Sequence, residues 1–360
     1  MGDLQTSQHR IFAFRLNCTM HVLFAGKDDF SYNRTVILEA GLNKISGVTY
    51  DKFTFDSYRN YDKDLWGAKQ EEADAIYIPT MRHSDVAFIR KKTKKPIVFD
   101  PLISKYLTRT KDHGKWWTAP EKYWRDWIAV KNCDVLLMDT QAHLDYMIEH
   151  YHFDRSKTAV VPIGADMQKF RPTSNKFADE KYHVGFYGGF VPLQGVDRIV
   201  EAARILQNEK DISFDIIGYG PFFNAVKKKA AGLENIDFVG WVDYDELGKR
   251  IDQFDISLGV FGTSLKTDIV IPNKIYHYAA LSKCIITKDT PGIKENFVDQ
   301  KNIYLVKNRP EHIAEAILDC KENPDKANKI GRAGYELVNE KYNEVEVAKS
   351  FAKALELTKN

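Results

Sequence analysis

Short, continuous apolar runs alternate with amphipathic stretches along the whole chain. In the first half the runs predict strands near 21–25, 48–54, 75–78, 96–99, 134–138 and 158–161. In the second half they fall near 183–187, 213–217, 236–239, 256–260, 284–287 and 303–306, and helices end the chain. Continuous rather than alternating apolarity marks strands covered on both faces, so the pattern reads as α/β, with parallel sheets under helices. The stretch after Gly195 shows the helical period: Val196, Ile199, Val200, Ala203 and Leu206 share one face, and Asp197, Arg198, Glu201 and Arg204 fall mostly elsewhere. There is no low-complexity tract and no short tandem repeat.

At 360 residues the chain exceeds one ordinary core, and two domains of roughly 150–180 residues are expected. A hinge is expected at Val161–Asp166, followed by the polar Arg171–Asn175. Residues 1–19 read as an extension, because the first clear strand begins just after Met20. Two doubly wound halves facing one another leave a ligand cleft between the carboxyl ends of their strands.

Composition narrows the class. A formal net charge of +2, with 28% charged and 44% hydrophobic residues, argues against a dedicated nucleic-acid binder. Cys18, Cys133, Cys284 and Cys320 form no CxxC pair and read as free buried thiols of a reducing compartment. No apolar run reaches the ~18 residues needed to span a bilayer, and the start has no secretory pattern. The expected location is cytoplasmic, peripheral on the inner face of a membrane if a lipid surface is engaged.

Candidate chemistry clusters in the second half. Strand Val184–Tyr187 runs into Gly188–Gly189, strand Phe214–Ile217 into Gly218–Tyr219–Gly220–Pro221, and strand Ile236–Val239 into Gly240–Trp241–Val242. Glycine lets a backbone approach a phosphate closely. The run Ile271–Pro272–Asn273–Lys274–Ile275–Tyr276–His277 opens a helix at a proline, with a cation in its first turn, and leads to strand Cys284–Thr287 and the turn Pro291–Gly292. Such an N-terminus suits a diphosphate.

Taken together these segments, with Val161–Pro162–Ile163–Gly164–Ala165–Asp166, resemble the donor-binding half of a GT-B glycosyltransferase of the retaining family four, also called glycosyl transferases group 1. The resemblance implies two Rossmann-like doubly wound domains facing across a cleft. Residues 20–163 would form the acceptor side and 164–341 the nucleotide-sugar side, and 342–360 a helix crossing back onto the first domain. It implies that Gly188 and Gly189 cradle a diphosphate, with Gly218 and Gly220 nearby. Trp241 and Val242 would read the base, and Pro272 and Asn273 would open the helix beneath the phosphates. The family's second ribose-binding glutamate falls on His277, which offers one acceptor at most. Its first falls on Ile269, beside Asp268. The basic pair after the glycine turn is replaced by Phe190 and Gln194, with Lys274 and Lys266 as substitute cations. Glu295 occupies the place of a phosphate-side glutamate, or caps a helix.

In the first half, Gly26–Lys27–Asp28–Asp29 follows the first strand, and Arg34 is suited to clamping an anion. Asp100 follows strand Pro96–Phe99 and is expected in the cleft, with His83 and His113 as further candidates. The segment from Lys115 to Trp127 holds Trp116, Trp117, Trp124 and Trp127 among basic residues. Trp116 and Trp117 read as an interfacial or lipid-acceptor surface, and Trp124 and Trp127 as core. The expected activity is transfer of a sugar from a nucleotide-diphosphate donor to a hydroxyl of a glycan or lipid-linked saccharide, with retention. Asp100, Lys274 and Arg34 would be central, and neither metal nor bound cofactor is expected. The alternatives are a sugar-nucleotide 2-epimerase of the same fold, or a catalytically weak binding or scaffold subunit.

Overall fold

The computed structural model describes residues 19–27, 30–173 and 176–359. Asp28, Asp29, Cys18 and most of the expected N-terminal extension lie outside them. Two six-stranded sheets form the frame. The first contains β1 (Met20–Lys27), β2 (Val48–Phe55), β3 (Ala75–Ile78), β4 (Ile97–Phe99), β5 (Val135–Met138) and β6 (Thr158–Val160). The second contains β7 (Tyr182–Tyr187), β8 (Ile212–Ile217), β9 (Ile236–Gly240), β10 (Ile256–Leu258), β11 (Cys284–Lys288) and β12 (Tyr304–Val306). Every pairing is parallel. Each strand lies within two residues of its expected bounds at either end.

The sheet orders are β2-β1-β3-β4-β5-β6 and β12-β11-β10-β7-β8-β9. In each, winding reverses beside the first strand, and a crevice opens there at the carboxyl ends. This is a GT-B fold. The central strands are wholly buried, as their unbroken apolar runs require. On the Val196–Ile205 helix, Val196, Ile199, Val200 and Ala203 are buried, and Leu206 just beyond joins them.

The chain end joins the two halves. Helix Glu344–Leu355 lies on helix Asn33–Leu42, and Phe351 packs edge-on against Phe24 and Tyr77 of the first sheet. Ala165 N–H donates to Tyr342 O at 2.9 Å, and Lys44 pairs with Glu344 at 2.6 Å. Cys133, Cys284 and Cys320 are free and buried, and the last two, far apart in sequence, stand 3.8 Å apart. Trp124 departs from its expected core position. It is 56% exposed, because Asp126, Ala129 and Val130 form the buried face of the Ala119–Lys131 helix.

Candidate active site

The carboxyl ends of the two sheets face each other across a cavity of about 620 Å³. Its second-domain wall is built from the three glycine turns and the start of the Asn273–Ala280 helix. The turns lock to one another by backbone hydrogen bonds: Gly188 N–H to Ile217 O at 2.9 Å, Gly218 N–H to Gly240 O at 2.7 Å, and Phe190 N–H to Tyr219 O at 3.1 Å. Gly218 and Gly188 face the site. Gly218 has φ +127°, and a Cβ there would fall 2.0 Å from Gly188 O. Gly188 has φ +155°, and its Cβ would fall 2.7 Å from Lys274 Nζ. A side chain at Gly188 would displace the lysine end beneath the turn.

Lys274 is the electrostatic centre of this wall. It is 3% exposed, donates to Gln194 Oε1 at 2.5 Å, and its Nζ lies 3.6 Å from the centroid of the Phe186 ring. Among the described residues it has no carboxylate partner. Burial pushes its ammonium well below the ordinary lysine range. Gln194, which stands where resemblance places a basic side chain, therefore holds a cation supplied by another element. Lys266 lines the same cavity.

His277 also lines the cavity, but both its ring nitrogens are engaged. Asn33 Nδ2 donates to Nε2 at 3.1 Å, which leaves Nδ1–H to donate to the Tyr187 hydroxyl at 2.6 Å. Tyr244 donates to Asn33 Oδ1, and Phe170 stacks on the imidazole at 3.8 Å. Burial pushes the imidazole down to about 3. The expected ribose acceptor is thus a neutral strut that ties the first domain to the second.

Gly188, Gly189, Gly218, Trp241, Val242, Pro272, Asn273, Lys274 and His277 are brought together at the cavity, and His113 joins from the first domain. Gly220 lies behind the wall, where its Cβ would strike the Phe190 backbone at 2.6 Å. Trp241 is 79% exposed at the rim.

Other expected residues are elsewhere. Arg34 and Asp100 do not line the cavity; Arg34 Nε donates to Asp100 Oδ2 at 2.6 Å in a buried pair that Tyr77 OH joins at 2.9 Å. His83 is buried against Phe99, 3.3 Å from Asp126, and burial lowers it to about 4. Gly26 and Lys27 end β1 away from the cavity, where Lys27 N–H donates to Asp85. Asp268 pairs with Lys288 at 2.5 Å, and the Ile269 side chain packs into the first domain's core. Trp116 and Trp117 are exposed on the outer surface and do not line the cleft.

Glu295 caps a helix of the opposite domain. Its carboxylate accepts from the Gln141 and Ala142 N–H groups at 2.6 and 2.7 Å, at the start of helix Gln141–Tyr151. Nearby, Thr140 Oγ1 donates to Ile269 O across the same seam. Burial raises the Glu295 carboxyl above its usual range, against the pull of the two amides. Glu295→Ala is expected to lower stability by about 1–2 kcal/mol, and Glu295→Gln by less, in urea denaturation. Unchanged stability in both would mean that this cap carries no weight.

Sequence reasoning missed Asp139, which ends β5 as Asp100 ends β4. It lines the cavity and accepts from His143 Nδ1 at 2.8 Å. It also missed Tyr32 and Asn33, whose partners Asn273, His277 and Tyr244 lie in the other domain, and Tyr187, which bonds His277 within its own. A second recess of about 770 Å³ adjoins the first through Tyr32, Asn33, Met81 and Tyr244, with Arg82 and Lys169 on its wall. Among the described residues no group of three or more His, Cys, Asp or Glu side chains is placed to hold a metal ion.

Residues 167–337 match the family model of glycosyl transferases group 1. An uncharacterized glycosyltransferase of Methanocaldococcus jannaschii is 25% identical over 166 residues, covering 43% of this chain and 43% of its own length. A second from the same organism is 23% identical over 242 residues, 64% of this chain and 60% of its own. The chain thus spans about half the length of the curated relatives it matches. Among solved structures, HepE of Anabaena, crystallised with UDP, superposes with a TM-score of 0.70 at 14% identity, over 94% of this chain and 100% of HepE. Sucrose-phosphate synthase of Thermosynechococcus elongatus gives 0.69 at 13% identity, over 94% and 98%. Residues 167–337 are therefore similar to the glycosyl transferases group 1 domain, and the chain carries them in a two-domain GT-B fold.

Proposed function

We propose that this protein is a glycosyltransferase that moves a sugar from a nucleoside-diphosphate donor to an acceptor hydroxyl. The observation that carries the reading is Lys274: a buried ammonium with no carboxylate partner among the described residues, under a glycine turn and in the first turn of a helix, is suited to receive an anion. The diphosphate would lie against Gly188 and Gly189, with Lys274 and the helix N-terminus drawing off the charge that develops as the C1–phosphate bond breaks. The relatives named as glycosyltransferases support the reaction class. The HepE structures with UDP and with UDP-glucose support a uridine diphosphate donor.

In the proposed retaining path the acceptor hydroxyl attacks C1 on the face the diphosphate leaves, and its proton passes to the departing phosphate oxygen. The acceptor would enter from the recess beside Arg82 and Lys169. Its carrier would be a glycan or a lipid-linked saccharide. With charge handled by Lys274 and the helix, chelation of divalent cations would leave turnover unchanged.

The deciding experiment is a thermal-shift screen against UDP, GDP, ADP and their sugar conjugates. A ligand at a hundred times its Kd stabilises the folded state by about 2.7 kcal/mol. The expected outcome is a selective rise with the uridine compounds. No shift with any nucleoside diphosphate would overturn the reading.

A further inference from the structure

The segment from the Trp116–Thr118 turn into the Ala119–Lys131 helix leaves Trp116, Trp117, Trp124 and Ile128 exposed at 74, 64, 56 and 37%. Trp117, Glu121, Trp124, Ile128 and Lys131 recur at three- and four-residue spacing, so they form one stripe on the helix and its lead-in turn. The opposite face, with Asp126, Ala129 and Val130, is in the core. The indoles are held in fixed arrangements, Trp116 edge-on to Trp117 at 6.3 Å and Trp124 edge-on to Trp127 at 4.9 Å. Exposing this much indole to water is unfavourable unless another phase receives it.

The charge around the stripe is mostly positive. Lys115, Arg125 and Lys131 are exposed, Lys122 is half-buried, and Lys105 is close enough to Arg125 and Lys122 to feel both as repelling charges. One exposed carboxylate, Glu121, is shared between Lys122 at 2.8 Å and Arg125 at 2.6 Å. Asp126 faces inward, accepting from Ser104 and from the Lys105 and Tyr106 amides. No helix among the described residues is long and apolar enough to cross a membrane, so a lipid contact here lies in the interface plane.

We propose that this tryptophan-bearing face docks on the surface of an anionic lipid bilayer. Indoles settle at the headgroup level, where the ring is buried and the N–H stays wet, while lysine and arginine meet lipid phosphate. The stretch just before this face carries Thr108 and His113 to the central cavity. Docking therefore brings the first-domain side of the cleft beside the bilayer. The inference stands independently of the donor reading, because none of its residues touches the cavity wall that holds Lys274.

The test is co-sedimentation of the full chain with vesicles of phosphatidylcholine alone, and with vesicles in which about a third of the lipid is phosphatidylglycerol. Binding is expected to the anionic vesicles only, and to weaken with salt. Trp116→Ala, Trp117→Ala and Trp124→Ala combined should lower it at least about tenfold, with an unchanged melting temperature, since all three side chains are exposed. If the triple variant fails to fold, quenching of wild-type tryptophan emission by brominated anionic lipid decides instead: quenching supports docking, and its absence overturns it. Failure to bind anionic vesicles overturns the proposal. So does binding that the folded triple variant retains in full, or a wild-type dimer that the substitutions dissociate without changing vesicle binding.

Discussion

Replacing Lys274 with methionine is expected to lower kcat/KM for sugar transfer by about 100- to 1000-fold, while the protein stays as stable as the wild type or becomes more so. Both parts follow from the same burial. A charged donor aimed at developing anionic charge in a dry site contributes on that scale to the transition state. In the free protein the same ammonium has lost its water and gained Gln194 and the faces of Phe186 and Tyr187, so its removal lifts a desolvation penalty. Methionine fills nearly the same volume and leaves no cavity of consequence.

The pH dependence separates this reading from simple packing. The folded, empty protein holds Lys274 below the ordinary lysine range, and burial is the cause. Between that lowered value and the unfolded one, the unfolded chain binds more protons. Stability of the empty protein therefore rises with pH across the window and is lowest, and level, beneath it. A bound diphosphate supplies the missing anion and draws a proton onto the lysine, so nucleotide affinity falls as pH rises through the window. Calorimetry of UDP binding in buffers of different ionisation enthalpy should show proton uptake in the wild type within that window and none in Lys274→Met. A methionine variant with wild-type turnover and unaltered proton linkage would place the phosphate site elsewhere.

Twelve strands were legible because a parallel strand buried on both faces leaves an unbroken apolar run, and a run such as Ile97–Phe99 needs no knowledge of its neighbours. The glycine turns and the Pro272 helix were legible for a similar reason, since backbone approach and helix entry demand particular residues at one place in the chain. Pairings across the cleft were not. His277 suggests a free imidazole until Asn33, from the other domain, is seen to occupy its Nε2. Glu295 lies beside a turn in sequence, yet its carboxylate serves a helix start roughly 150 positions away. Asp100 and Asp139 each follow a buried strand, and the sequence gives no reason to prefer one. What separates them is Arg34, which lies close enough to Asp100 to neutralise it and leaves Asp139 at the cavity wall.

That neutralisation makes Asp100→Ala the most damaging single change to stability expected in the first domain, about 3–5 kcal/mol. Arg34 is fully buried, and its Nη1 and Nη2 are buried without a hydrogen-bond partner among the described residues. Burial alone would lower its pKa, but Asp100, with Tyr77 behind it, holds it above the usual range. Without the carboxylate the guanidinium is left as an uncompensated charge beneath β1 and β4. Replacing both partners with apolar side chains of similar volume, Arg34→Met with Asp100→Leu, should recover most of the loss, because the desolvation of both charges disappears together. Urea denaturation of the two single variants and the double variant measures the coupling directly, and turnover per folded molecule in the double variant shows whether either residue meets substrate. If Asp100→Ala proves as stable as the wild type yet inactive, the carboxylate acts at the cleft and the buried pair is not its purpose. If the double variant folds and turns over, the pair is a structural brace, and acceptor chemistry on this side of the cleft falls to residues that reach the cavity, Asp139 first among them.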